Sequence, residues 1–130
     1  MQDFSNRSAI LMFRNGTTEP LTGLRVQNCM MLTQAREFES STNDNKIFHQ
    51  DYALVHDGSK SRWLITSWKP LGRAWGNPPV PCIHADPILP DCPPGETTLA
   101  QGWISFFEGE NWLEEIKRIE ETRWWESPVD

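Results

Sequence analysis

The chain has 130 residues, a formal net charge of −6 and a mean hydropathy of −0.56. That length holds one domain with a real core, not two. Lys and Arg are scattered rather than blocked, which argues against nucleic acid or an anionic membrane as partner, and no apolar run approaches the ~20 residues that cross a bilayer.

Residues 9–13 are a short apolar run, followed by turn formers over 14–20. Over 21–32 the pattern alternates: Leu24, Val26, Met30 and Leu32 share one parity, Arg25 and Gln27 the other. Period two predicts a half-buried strand, and the two segments together predict a hairpin. Cys29, inside this run, reads as buried. Residues 37–46 form a polar loop. Strands are predicted over 47–56 and 62–68, with Asp57-Gly58 as the hairpin turn between them. Residues 98–107 alternate with both faces largely apolar, which predicts a central or doubly covered strand. Over 111–123, Trp112, Ile116 and Ile119 fall on one stripe, and Asn111 with Glu114 makes a cap pattern. That predicts an amphipathic helix of about three turns. The expected fold is a single mainly β domain spanning 1–130: an antiparallel β-sandwich of jelly-roll or half-supersandwich type with one C-terminal amphipathic helix.

The N-terminal residues 1–7 lack an apolar signal core behind a basic start. The chain is therefore expected to be cytoplasmic, or periplasmic or secreted if it is the trimmed mature part of a longer one.

Residues 75–96 hold seven of the ten prolines and two of the three cysteines. Proline fixes φ and removes a donor, so residues 69–97 read as a long ordered loop and as the best candidate site. Within it, Cys82, His84 and Asp86 would face one space if extended. Thiolate, imidazole and carboxylate suit zinc, with Cys92 or Asp91 as a fourth group. A Cys82–Cys92 disulfide is the competing reading and would imply an oxidising compartment; free structural thiols beside a surface histidine are the third.

Seven tryptophans against one tyrosine is an unusual balance. Most such rings fill a thin β core. Trp68 and Trp75, however, bracket Arg73, with Asn77 just beyond. Flat indole faces beside fork-shaped donors are what a sugar or uronate site needs. In the bland reading the indoles only pin the loop. Acids at Asp57, Glu96, Glu108 and Glu110, with His49 and His56, are weaker candidates for glycoside chemistry, since acids before a helix are ordinary capping material. No G-x-S-x-G, P-loop or G-x-G-x-x-G is present.

The segment Phe-Arg-Asn-Gly-Thr-Thr-Glu-Pro-Leu-Thr-Gly-Leu-Arg-Val-Gln-Asn (13–28) resembles the opening hairpin of bacterial β-sandwich domains attached to carbohydrate-active proteins. Ala-Trp-Gly-Asn-Pro-Pro-Val-Pro-Cys-Ile-His-Ala-Asp-Pro (74–87) resembles a block in uncharacterised bacterial proteins with longer chains. The resemblance implies the C-terminal portion of a galactose-mutarotase-like sandwich, although no catalytic histidine pair of that fold maps here.

Together these features lead to three expectations. The first is a carbohydrate-binding or accessory module, with Trp68 and Trp75 stacking, Arg73, Asn77 and His84 hydrogen-bonding, and no cofactor. The second is a small carbohydrate-active enzyme, either metal-assisted, with zinc on Cys82, His84 and Asp86, or a lyase or hydrolase using His84 with Arg73. The third is a protein-interaction domain, with a neighbouring domain or a second copy as partner.

Overall fold

The computed structural model describes residues 6–126; residues 1–5, where most of the leader reading falls, lie outside them. Among the described residues, eight strands make two antiparallel sheets. The strands are β1 (Asn6–Arg14), β2 (Cys29–Met31), β3 (Lys46–His49), β4 (Tyr52–His56), β5 (Arg62–Lys69), β6 (Leu71–Asn77), β7 (Cys82–Pro87) and β8 (Thr97–Glu108), followed by helix α1 (Trp112–Glu121). One sheet has the order β1-β8-β5-β4-β3 and the other β2-β7-β6. The result is the predicted antiparallel sandwich with one C-terminal helix.

Two cores follow from the period-two pattern. Ala53, Val55 and Leu64 from the five-stranded sheet meet Ile83 of β7, together with Leu32 and Phe38. On the other face of the large sheet Leu54, Trp63, Ile65 and Trp103 pack against Ile116 and Ile119 of α1 and against Trp124. Strand β8 lies between β1 and β5, and it puts Trp103 into the helix-side core and Ile104 against the inter-sheet core. The Asn111 side chain caps α1 by accepting from the Glu114 amide at 3.2 Å. Five of the seven tryptophans, Trp63, Trp103, Trp112, Trp124 and Trp125, belong to this helix-side core or pack on it.

Three expectations are corrected. Residues 9–13 do not form a hairpin with 21–32. β1 pairs with β8 over nine register positions, a longer ladder than a local hairpin offers, while β2 joins the other sheet. The predicted strand over 47–56 is β3 and β4, which turn at Gln50, a residue with φ of 53°. The Pro-rich region 69–97 is not a loop, because β6 and β7 run through it. Its prolines bracket the strands: Pro78 and Pro79 make the turn, Pro81 precedes β7 and Pro87 ends it. An interior proline would remove a ladder donor; these do not. Beyond β7, residues 21–28 run beside 86–92 with only the Leu21–Cys92 and Arg25–Ile88 bridges, where prolines thin out the donors.

Candidate functional site

Strand β7 is the middle strand of the small sheet, and its alternation sorts chemistry from core. Ile83 faces the large sheet. Cys82, His84 and Asp86 therefore share the opposite face, as the i, i+2, i+4 spacing predicts. The register aligns their neighbours in rows: Met31–Cys82–Asn77, Cys29–His84–Trp75, and Asp86–Arg73. Side chains directly opposite in an antiparallel pair lie on the same face.

On that face the polar groups form one chain of contacts. Cys82 Sγ lies 3.0 Å from His84 Nε2, and His84 Nδ1 lies 3.0 Å from Asp86 Oδ1. Asp86 Oδ1 also accepts from the Asn28 amide at 2.8 Å, and Oδ2 accepts from Trp75 Nε1 at 2.7 Å. An acceptor-only carboxylate against Nδ1 requires the proton there, so Nε2 is the acceptor and Cys82 S–H the donor. The Trp75 indole stacks on His84, with centroids 4.0 Å apart and planes 18° off parallel. The Arg73 guanidinium sits 4.4 Å from the Trp75 ring centre. Cys82 is fully buried and His84 is 2% exposed.

The third thiol completes the cluster. Cys29 is exposed, and its Sγ lies with Cys82 Sγ and a ring nitrogen of His84 in a group whose atoms are all within 4.8 Å of one another. Tetrahedral zinc, with Zn–S about 2.3 Å and Zn–N about 2.05 Å, places two sulfurs about 3.8 Å apart and sulfur from nitrogen about 3.6 Å apart. The observed group meets that scale with small side-chain shifts.

The electrostatics decide between uses of Cys82. Burial, above all, pushes its thiol up to about 12; the contact with Cys29 and the Asp86 charge push the same way, and Lys46 opposes them. Lys46 is itself held below its ordinary value by burial, partly offset by Cys82; its Nζ donates to the Thr42 carbonyl and to Asn45 Oδ1. The Cys–His–Asp line has the outline of a nucleophilic triad, but a buried thiol pushed up to about 12 is not an activated nucleophile. A metal ion would supply the positive charge such a thiolate lacks.

The structure brings Arg73, Trp75, Asn77, Cys82, His84 and Asp86 onto one face. In the expected metal set, Cys29 takes the place of Asp86, which instead orients the histidine from behind. Trp68 is elsewhere: it lies on Gly102 of β8 and lines a separate cleft of about 120 Å³ with Asn28, Met30 and Ile104. It does not join Trp75 in a platform.

The Cys82–Cys92 disulfide is not formed; all three thiols are free. β7 separates the two positions, since its five steps alone span about 16 Å, and Cys92 Sγ instead donates to the Glu96 carbonyl at 3.1 Å. Among the described residues, neither Asp91 nor the acids near α1 join the Cys29, Cys82 and His84 group. His49 packs edge-on against Trp112, and His56 Nδ1 meets the Asp57 carbonyl.

Cys29 was expected to be buried and is exposed. Its parity with Arg25 and Gln27, the polar side of the 21–32 pattern, was the signal that places it outward. Asn28, whose backbone amide holds Asp86, carries no sequence signal for that role. Set beside known proteins, the chain matches no family model, no curated protein and no solved structure.

Proposed function

We propose that the chain is a zinc-binding protein whose centre is Cys29, Cys82 and His84, with the fourth coordination position left open to water or substrate on the exposed Cys29 side. The observation that carries this is the fixed histidine: Asp86 holds Nδ1, so Nε2 is left facing Cys82 Sγ, with Cys29 in the same group. A carboxylate behind a ligating histidine is the recurrent second partner of metal sites, setting tautomer and orientation. Two thiolates and one imidazole with an open position suit catalytic zinc, which lowers the pKa of bound water to about 7.

A disulfide between Cys29 and Cys82 fits the register less well. The two are diagonal neighbours, a relation with Cα atoms about 7–8 Å apart, whereas disulfides take 4.4–6.8 Å. A bridging ion spans the larger gap. The sugar-module reading asks for two free indole faces, but Trp68 belongs to the other sheet and Trp75 is engaged by His84, Asp86 and Arg73. The same face does suit a metal-assisted enzyme.

Elemental analysis of protein purified under reducing conditions tests the reading. One zinc per chain is expected, lost in Cys82→Ser and kept in Cys92→Ser, whose thiol lies outside the centre. Absence of zinc from the wild type after incubation with equimolar metal would rule the centre out.

A further inference from the structure

Beside the centre lies a cleft of about 230 Å³, lined by Arg25, Gln27, Arg73 and Asp86 and by backbone at Gly72. The ladder between β6 and β7 shifts register between Leu71 and Arg73, and bulges of this kind re-aim side chains next to sites. A Cβ at Gly72 would come within 2.7 Å of Ile88 Cγ1, so the bulge admits only glycine without displacement.

The charges in this cleft are oddly left over. Arg73 stands directly opposite Asp86 in register, yet the two form no ion pair. The carboxylate oxygens are taken by Asn28, His84 and Trp75, and the guanidinium is laid over the indole instead. Among the described residues Arg25 forms no ion pair either, whereas Arg62, Arg118 and Arg123 each do. Both arginines are exposed. In a chain with net charge −6, two unpaired guanidiniums on one concave surface are a place for an anion.

We infer that this cleft binds the carboxylate of a small ligand of monosaccharide size, gripped between Arg25 and Arg73 with Gln27 toward its hydroxyl groups. Guanidinium forks match a planar carboxylate with paired hydrogen bonds. The Arg73–Asp86 and Trp75–His84 rows are two residues apart, about 7 Å along the strand. A carboxylate held at the first row puts the other end of such a ligand beside the proposed zinc. The inference adds a substrate class to the zinc reading and is tested without metal, so that the two fail separately.

Calorimetric titrations of the metal-free protein at low ionic strength would use glucuronate, glucose and inorganic phosphate, repeated with Arg25→Gln, Arg73→Gln and, as a remote control, Arg36→Gln. Expected are binding of glucuronate but not glucose, phosphate weaker than glucuronate, a loss of about tenfold or more in each cleft variant, and no change in the control. Because both arginines are exposed, the variants are expected to fold, which circular dichroism checks. No binding of glucuronate, equal binding of glucose, or binding untouched by both cleft variants would overturn the assignment. Phosphate binding tighter than glucuronate would also overturn it, by making the group recognised a phosphate.

Discussion

Asp86→Asn is a nearly isosteric change at the point where the candidate centre is most constrained. Three donors converge on this carboxylate: the Asn28 amide at 2.8 Å, His84 Nδ1 at 3.0 Å and Trp75 Nε1 at 2.7 Å. An amide offers one oxygen. With that oxygen toward Asn28 and His84, its NH₂ meets the indole N–H donor to donor; flipped, it confronts the other two. At least one buried bond to a charged group is lost, about 1.5–3 kcal/mol of stability, and Trp75 loses its tether over His84. The histidine also loses the anion that fixes its tautomer. Replacing such a partner lowers metal affinity by roughly 10–100-fold, equivalent to about 1.4–2.7 kcal/mol. Urea unfolding of the metal-free protein measures the first effect, and competition for zinc against a chelator of known affinity the second. If stability falls while zinc affinity is unchanged, Asp86 is only a structural acceptor and the carboxylate–histidine–metal reasoning is refuted.

Two further predictions rest on separate parts of the molecule. Zinc must displace the proton of Cys82, whose thiol is pushed up to about 12, so affinity should rise about tenfold per pH unit for that proton. The climb should continue past pH 8.5, the ordinary thiol value; a plateau there, in zinc titrations by chelator competition, would show that Cys82 ionises as an ordinary thiol. At the other cleft, a Cβ on Gly102 would lie 2.6 Å from Trp68 Cζ2. Gly102→Ala should therefore cost about 1–3 kcal/mol in urea unfolding through overpacking while leaving zinc stoichiometry unchanged, and a neutral effect would mean that the Trp68 ring moves aside freely.

The large sheet and its helix were legible because their signals are local. Asp57-Gly58 does turn β4 into β5, β8 is central in its sheet and contributes Trp103 and Ile104 to cores on its two faces, and the Trp112, Ile116, Ile119 stripe does pack on the sheet. The small sheet was not, because its prolines are dense across the region as a whole yet fall outside the strand interiors. Cys82 to Asp86 contains none, and the prolines on either side fall at a turn and at strand ends, where a missing N–H costs nothing. Half of the site was readable from β7 alone, since Cys82, His84 and Asp86 share a face by parity. Cys29 was out of reach because the pairing of β2 with β7 is a long-range contact, fixed by the sandwich and not by neighbouring residues. The cysteine pairing failed for the same reason. Cys82 and Cys92 look close along the chain, and an extended strand keeps them apart.

The coordination shell itself offers the most direct test. X-ray absorption at the zinc edge, on protein loaded with one equivalent under reducing conditions, should show two sulfurs at about 2.3 Å and two nitrogen or oxygen neighbours at about 2.0–2.1 Å. Cys29→Ser should reduce the sulfur count to one. A shell of nitrogen and oxygen alone would contradict the account, as would a sulfur count unchanged in Cys29→Ser.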